Sequence, residues 1–433
     1  MAANMTNNNM VVGLDIGTSK IVAIVGHLTP DGEVEIVGIG SHPSRGLKKG
    51  VVINIESTVL SIQRAVEEAE LMAGCNIHSV YVSVAGSHIR SQNSHGIVAV
   101  KDGEVQVEDI ERVIDAAQAV PISSDQRLLH VLPQEFNIDS QEGIRDPLGM
   151  SGVRLEANVH LISGAANAVM NVEKCIRRCG LEVDGVILSQ LASSQVCLSE
   201  DEKDLGVCLV DIGAGTSDIA VWLDGAMHHT AVVPVAGDQV TNDISMALRT
   251  PTLHAENIKI KYACAMSSLA SADQRIEVPS VGDRKPRSIS RHALAEVVEA
   301  RYEEIYKMVL DELNRSGYAE RIPAGIVITG GTSLMEGAEA LAERIFDMPV
   351  RIASPHLTNG VTEMVDNPSF STSVGLLEYA GVGVPVPDAV EPSAQVKTPK
   401  KKFLPEVASG EAKPAFSPAK AWHKVTDWFQ SYI

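Results

Sequence analysis

Aromatic side chains are scarce: phenylalanine, tyrosine and tryptophan make up 4% of the 433 residues. Aliphatic residues carry the apolar content instead, which is the composition of α/β proteins. Positive charge is also short, with 36 lysines and arginines against 55 aspartates and glutamates and a net charge of −19. That balance excludes a nucleic-acid backbone as partner, because such binding depends on neutralising phosphates with basic side chains. No apolar run reaches the roughly 18 residues of a membrane-spanning helix. The opening stretch MAANMTNNNM has neither a basic nor an apolar region, so no secretory signal is expected. The six cysteines are scattered. Cys175 and Cys179 lie one helical turn apart, but nothing nearby supplies further ligands, so buried thiols are expected rather than a metal site. His88, His95, His130 and His160 are likewise not spaced as metal ligands. A chain of this length exceeds a single core, and two to four compact units are expected.

What the sequence does contain is a repeated grammar. Residues 205–222 run from an apolar segment into Asp211, through the turn Ile212-Gly213-Ala214-Gly215-Thr216-Ser217, and into a second apolar segment. This reads as strand, tight turn, strand. Glycines let a backbone approach a ligand closely and expose its amides, and Thr216 and Ser217 add hydroxyls. Amide donors beside a carboxylate suit the phosphates of a nucleotide together with Mg²⁺. The same pattern stands near the N-terminus, where Asp15 leads into Ile16-Gly17-Thr18-Ser19-Lys20 between two apolar runs. Two copies far apart imply two related halves facing each other across a cleft, each offering one aspartate and one phosphate-gripping turn.

Around these hairpins the pattern predicts further strands at 33–40, 80–85, 183–188 and 228–234, and helices at 55–74, 164–179 and 190–198. Residues 86–162 break the regularity and have the size of a small α+β insertion. Within it the sequence suggests a helix at 107–120, strands at 128–138 and 154–162, and a polar loop at 139–152. A more polar stretch follows at 250–300, with the basic loop Asp283-Arg284-Lys285-Pro286-Arg287 and then a long helix from Ser290 to Ser316. An apolar strand at 324–329 runs into Gly330-Gly331-Thr332, a glycine turn of the kind that packs a flat base or presents amides to a phosphate.

Beyond Gly383 proline, alanine, serine and charge dominate, which reads as a disordered linker. The last segment places Trp422, Val425, Trp428, Phe429, Tyr432 and Ile433 on one helical face. An amphipathic helix after a linker fits an interfacial membrane helix better than docking on the chain's own body. Six partly immersed apolar side chains give around 10 kcal/mol gross, from which ordering the helix subtracts several. The result is a weak, reversible anchor that works when many copies act together.

The three glycine turns, in this order, resemble those of the actin, Hsp70 and sugar-kinase superfamily. Within it the chain resembles the FtsA family of actin-like bacterial cell-division proteins, through residues 14–20, the stretch 44–54 with Gly46-Leu47-Lys48-Lys49-Gly50, residues 210–219, residues 330–337 and the tail. The resemblance implies an α/β, actin-like (ribonuclease-H-like) fold of two halves around a nucleotide cleft. It implies subdomain 1A at 10–85, 163–205 and 354–383, with 1C inserted at 86–162. Subdomain 2A is expected at 206–238 and 305–353, 2B at 239–304, a linker at 384–416 and a membrane-targeting helix at 417–433. It implies ATP and Mg²⁺ as ligands, self-association into a filament or oligomer, and docking of the C-terminal peptide of FtsZ on 2B through Arg287, Arg291 and Arg301. Later division proteins are expected to bind through 86–162, and the protein is expected as a peripheral one on the cytoplasmic face of the inner membrane at the division site.

On this reading amides of Gly17, Thr18, Ser19, Gly213, Ala214, Gly215, Thr216 and Ser217 hold phosphates, and Lys20 reaches one. Asp15 and Asp211 hold Mg²⁺ through water. Gly237 and Asp238 face the ribose, and Glu256 and Lys259 edge the adenine, with Gly330, Gly331 and Thr332 behind it. Ser189 or Gln190 orients the attacking water. Neither is a strong base, so the chain is expected to be an ATP-binding scaffold with slow hydrolysis at most rather than an enzyme. The rival reading is a small-molecule phosphotransferase of the sugar-kinase or acetate-kinase kind, which needs a catalytic base facing a second substrate pocket; neither is identifiable. An Hsp70-type chaperone needs a large peptide-binding domain that the short tail does not provide.

Overall fold

The structure is a computed structural model and describes residues 9–279, 285–356 and 360–381. The proposed linker at 384–416 and the terminal helix at 417–433, with Trp422, Val425, Trp428, Phe429, Tyr432 and Ile433, lie outside the described residues.

The chain begins with three antiparallel strands, β1 (Met10–Ile16), β2 (Lys20–Leu28) and β3 (Val34–Pro43), then a miniature hairpin of β4 (Leu47–Lys48) and β5 (Val51–Val52). Helix α1 (Ile55–Ala73) follows. Asn54 caps it by accepting from the Ser57 amide at 2.9 Å, and Gly74 ends it in the left-handed region at φ 66°. Next come β6 (Ser79–Val84), β7 (Ile89–Ala99), α2 (Val107–Gln118), β8 (Gln126–Ile138), β9 (Gln141–Ile144) and β10 (Arg154–Ala165). The first half closes with α3 (Ala166–Arg178) and β11 (Glu182–Leu188).

Helix α4 (Ser189–Cys197) and the short α5 (Glu200–Leu205) carry the chain into the second half. There β12 (Val207–Ile212), β13 (Ser217–Leu223) and β14 (Ala226–Val233) form a second antiparallel set. They are followed by α6 (Gly237–Leu248), α7 (Thr252–Tyr262), the hairpin of β15 (Arg275–Val278) and β16 (Arg287–Ser290), and α8 (Arg291–Ser316). The series ends with β17 (Ile326–Thr329), α9 (Ala338–Phe346), β18 (Val350–Ile352) and α10 (Ser371–Gly381).

The two main sheets share one topology. Their orders are β11-β6-β1-β2-β3 and β14-β13-β12-β17-β18. In each, an antiparallel meander lies beside two strands that join it in parallel. The duplicated hairpins therefore occupy equivalent places, with Asp15 and Asp211 at the ends of equivalent central strands. β12 is buried at every position, as expected for a strand covered on both faces. One apolar core surrounds the first sheet, with Leu14, Ile24, Val82 and Ile187 fully or nearly fully buried, and a second surrounds the other with Val210, Ile328, Tyr302 and Tyr306.

The inserted segment forms its own four-stranded sheet, β7-β10-β8-β9, with α2 packed on it around Val113, Phe136, Leu155 and Val159. Within the insert the 139–152 stretch, expected as a polar loop, contains β9, and residues 89–99, to which the sequence pattern assigned no element, form a strand of 11 residues. The polarity of β7 has a structural use. Ser91 Oγ donates to the Thr230 carbonyl at 2.9 Å and Asn93 Nδ2 to the His228 carbonyl at 3.2 Å, so this strand caps the open edge of β14 in the other half. The insert thus bridges the two halves by a polar seam that also includes Gln134 Nε2 to the Met227 carbonyl at 3.0 Å. Among the described residues no helix is long and apolar enough to cross a membrane.

The chain passes between the halves at α4 and returns at α10, and these helices pack against each other. A Cβ at Gly375 of α10 would overlap the Ala192 carbonyl of α4. Gly375→Ala is expected to cost about 1–3 kcal/mol of stability through overpacking at this crossing, measured by urea unfolding. An unchanged midpoint would show that the helices can separate freely.

Candidate functional site

A cavity of about 570 Å³ opens between the two sheets. The β1–β2 turn contributes Gly17, Thr18, Ser19 and Lys20, and the β12–β13 turn contributes Gly213, Ala214, Gly215 and Thr216. The turns approach each other so closely that a Cβ at Gly215 would lie 2.6 Å from Thr18 Oγ1 and 2.9 Å from the Lys49 Cα. Only glycine permits that approach. The tip of the β4–β5 hairpin fits beside them, where the Gly50 amide donates to Thr18 Oγ1 at 3.1 Å.

Three aspartates face this space. Ser83 Oγ donates to Asp15 Oδ1 at 2.7 Å. Burial nonetheless raises the Asp15 pKa, although that hydrogen bond and Lys20 both favour its charge. Asp211 Oδ2 accepts from Ser193 Oγ at 2.6 Å and from Thr372 Oγ1 at 3.1 Å. Burial, aided by the charge of Asp15, pushes it up to about 6. Asp218 is buried and accepts from Thr216 Oγ1 at 3.0 Å through Oδ2, while Oδ1 has no partner. Its pKa stands well above the ordinary value, first through burial and then through Asp211. Like charges held this close in a low dielectric call for a cation between or beside them. Lys20 is the nearest. Burial lowers its ammonium to about 8 even beside Asp15, and Nζ donates to Ser369 Oγ at 3.0 Å. Among the described residues no three histidine, cysteine or acidic side chains gather closely enough to hold a metal by themselves.

The paired-glycine turn closes the second side. Gly330 has φ +86°, and a side chain there would collide with Asp211 and the Ile212 carbonyl. Thr332 Oγ1 donates to the Gly213 carbonyl at 2.7 Å, joining this turn to the β12–β13 turn. Tyr302 braces it, its hydroxyl donating to the Thr332 carbonyl at 2.8 Å. Glu256 and Lys259 of α7 line the cavity and pair at 2.8 Å. The apolar side chains of Ile260 and Leu334, 71% and 53% exposed, line it as well. Large apolar groups left open on a cavity wall suit a flat, weakly polar ligand group.

Most of the expected residues converge here, and several do not. Ser217 is buried below the turn and donates to the Val235 carbonyl at 2.8 Å. Gly237 and Asp238 do not line the cavity; their amides donate to the carbonyls of Gly213 and Ala214 at 3.2 and 2.8 Å and support the turn from behind. Ser189 lies on the cavity wall with its hydroxyl on the Val84 carbonyl at 3.1 Å, whereas Gln190 is fully buried away from the lining with both amide atoms unpartnered. Of the three arginines, Arg287 and Arg301 meet on α6, through the Leu248 carbonyl and Asp243 respectively. Arg291 is elsewhere: it lines the cavity, bonded to the Tyr262 carbonyl at 2.8 Å and paired with Glu336. The sequence reading missed Asp218, Ser369 and Thr372. Asp218 had a visible signal, a carboxylate opening an otherwise apolar strand; the other two arrive from a distant segment with no local motif.

Comparison with known proteins agrees with this geometry. The family profile "Cell division protein FtsA" matches residues 208–375, and "SHS2 domain inserted in FTSA" matches residues 86–163. The chain is 66% identical over 377 residues to the cell division protein FtsA of Pseudomonas aeruginosa, covering 87% of this chain and 90% of that one. It is 51% identical over 368 residues to the FtsA of Neisseria meningitidis, covering 85% and 89%. It is 49% identical over 381 residues to the FtsA of Escherichia coli K12, covering 86% and 91%. Among solved structures, the PilM-PilN type IV pilus biogenesis complex superposes with a TM-score of 0.61 at 16% identity, covering 86% of this chain and 98% of that one. MreB 5 of Spiroplasma citri bound to AMPPNP superposes at 0.51 and 15% identity, covering 87% and 98%. These last two likenesses establish the fold.

The crowded carboxylates generate a prediction. A carboxyl whose folded pKa is raised binds more protons folded than unfolded, so its ionisation costs stability as pH rises above the unfolded value near 4. Asp218→Asn is therefore expected to raise the melting temperature of the ligand-free protein by a few degrees at pH 7.5. The gain should shrink as pH falls towards 4, where the carboxyl of the unfolded chain takes up its proton as well. Equal melting temperatures at pH 7.5 would show that the cavity does not strain this group.

Proposed function

The chain belongs to the FtsA family of cell-division proteins, and from that premise we propose that it is an ATP-binding, actin-like tether that links the FtsZ ring to the cytoplasmic face of the cell membrane at the division site. The observation that carries the nucleotide part is the pair of equivalent aspartate-glycine turns facing one cavity from two sheets of the same topology. The fit is supported by two further features. A side chain at Gly215 would collide with the opposing turn and one at Gly330 with Asp211, and Asp218 on the cavity wall has an unpartnered oxygen.

In this reading the two sheets are the bodies of subdomains 1A and 2A, the insert is 1C, and α6, α7, the β15–β16 hairpin and the start of α8 make up 2B. Amides of Gly17–Ser19 and Gly213–Thr216 bind the phosphates, and Lys20 neutralises one of them. Asp15 and Asp211 hold the water shell of Mg²⁺, a metal that keeps several waters. Ile260 and Leu334 pack the base, with Glu256 and Lys259 at its edge. Bound MgATP supplies a terminal phosphoryl group whose presence distinguishes two states of the cleft. Of the two water-orienting candidates, the cavity lining favours Ser189. Its hydroxyl already donates to the Val84 carbonyl and is itself no strong base, so hydrolysis is slow and the nucleotide acts chiefly as a conformational ligand.

Arg287 and Arg301 on 2B are the candidates for an FtsZ peptide, Arg301 by exchanging its ion pairs with Asp243 and Glu304 for carboxylates of the peptide. Arg291 lines the cavity and is assigned to the nucleotide side. The apolar face of residues 422–433 supplies the lipid contact, and the insert offers a surface for later division proteins.

Liposome flotation tests the tether. With ATP and anionic vesicles, the full chain is expected to float and to carry FtsZ with it, and a chain ending at Ala415 is not. Arg301→Glu is expected to leave flotation of the chain itself intact while lowering co-flotation of FtsZ about tenfold or more, since a repulsive charge replaces an attractive one. Equal flotation of the full and shortened chains would overturn the anchor. Unchanged FtsZ recovery with the variant would move the peptide site elsewhere.

A further inference from the structure

Lys20 is the cavity's first-half cation, and its position depends on residues from the far end of the chain. Its Nζ lies 3.4 Å from the centroid of the Phe370 ring and 3.0 Å from Ser369 Oγ. That single hydrogen bond leaves two of the three ammonium donors uncommitted among the described residues. Both partners sit on the short turn Pro368–Phe370 that precedes α10. Asn367 holds the turn rigid, its side-chain oxygen accepting from the Ser369 amide at 2.9 Å and its carbonyl from the Phe370 amide at 2.9 Å.

The same turn grips the other half. The Gly330 amide donates to the Pro368 carbonyl at 3.2 Å, and Thr329 Oγ1 and Ser371 Oγ are 2.6 Å apart. One segment of the chain therefore contacts the phosphate lysine of the first half and the paired-glycine turn of the second.

We propose that Ser369 and Phe370 are positioning residues of the phosphate site: they fix the Lys20 ammonium on the cavity wall for the terminal phosphates and tie its placement to the Gly330-Gly331 turn. This rests on the nucleotide reading given above. Lysine is long and flexible, and left alone it loses entropy on binding a phosphate. A ring face beneath the ammonium and a hydroxyl at its side confine it beforehand, and the face of an aromatic ring attracts a partly desolvated cation. Because the turn is also bonded to Gly330, closure of the second half on the adenosine end moves the support on which Lys20 rests.

A double-mutant cycle on the full chain, with ATP and ADP affinities measured by calorimetry in Mg²⁺ and a thermal melt for each variant, tests this. Phe370→Leu keeps apolar bulk and loses the ring. It is expected to weaken ATP binding about three- to tenfold and ADP binding less, while Phe370→Tyr restores the native value. In a Lys20→Met background Phe370→Leu is expected to have no further effect, because the residue acts through the lysine. Ser369→Ala should follow the same pattern with a smaller loss. An equal loss in both backgrounds would mean that Phe370 only packs, and would overturn the proposal. So would unchanged or tighter ATP binding by Phe370→Leu in the native background, the latter showing that the ring holds the lysine back. Failure of the unaltered chain to bind ATP at all would instead overturn the nucleotide reading, and this inference with it.

Discussion

Negative charge gathered in one enclosed cleft is the constraint from which the rest of this molecule follows. Asp15, Asp211 and Asp218 stand on strands that are otherwise apolar, and each has its pKa raised first by burial. A fold that only needed stability would not keep three carboxylates there, since unpaired buried charge is among the costlier features a protein can carry. The hydroxyls of Ser83, Ser193, Thr372 and Thr216 hold them in place without neutralising them. The arrangement makes sense as half of a site whose other half is a ligand bringing its own cation.

The surrounding architecture serves that arrangement. Duplicated sheets aim two glycine turns at the same point, and the turns meet because Gly215 lacks a side chain. The halves meet through contacts of different character. The 368–371 segment of the first half is hydrogen-bonded to Gly330 and Thr329 of the second, the β7–β14 seam is made of side-chain amides, hydroxyls and backbone carbonyls, and α4 and α10, packed on each other in the first core, send Ser193 and Thr372 to Asp211. A polar seam can open or close without dismantling a core, because hydrogen bonds to water replace its own at small net cost.

Much of this was legible in the sequence because its signals are local. The Asp15 and Asp211 hairpins carry their glycines, hydroxyls and flanking apolar runs within a few residues, and their repetition implies the two halves. The membership in the FtsA family and the actin-like fold were visible in the same motifs. Strand β7 was not, since its Ser91, Asn93 and His95 break the alternation of a half-buried strand; they face the other half and solvent instead of a core. The hydrogen bonds by which Gly237, Asp238 and Ser217 support the β12–β13 turn were not legible, because their partners Gly213, Ala214 and Val235 are fixed only by the fold. Ser369, Phe370 and Thr372 were invisible as site residues because their meaning depends on where the chain returns after crossing both halves.

One nucleotide held jointly by two turns is the premise on which the arrangement of the cleft depends. Isothermal titration of the full chain with ATP, with Mg²⁺ and again with a chelator, measures this directly. One site per chain and markedly tighter binding in the presence of Mg²⁺ are expected. Absence of binding at millimolar ATP, two independent sites per chain, or affinity indifferent to Mg²⁺ would contradict that premise.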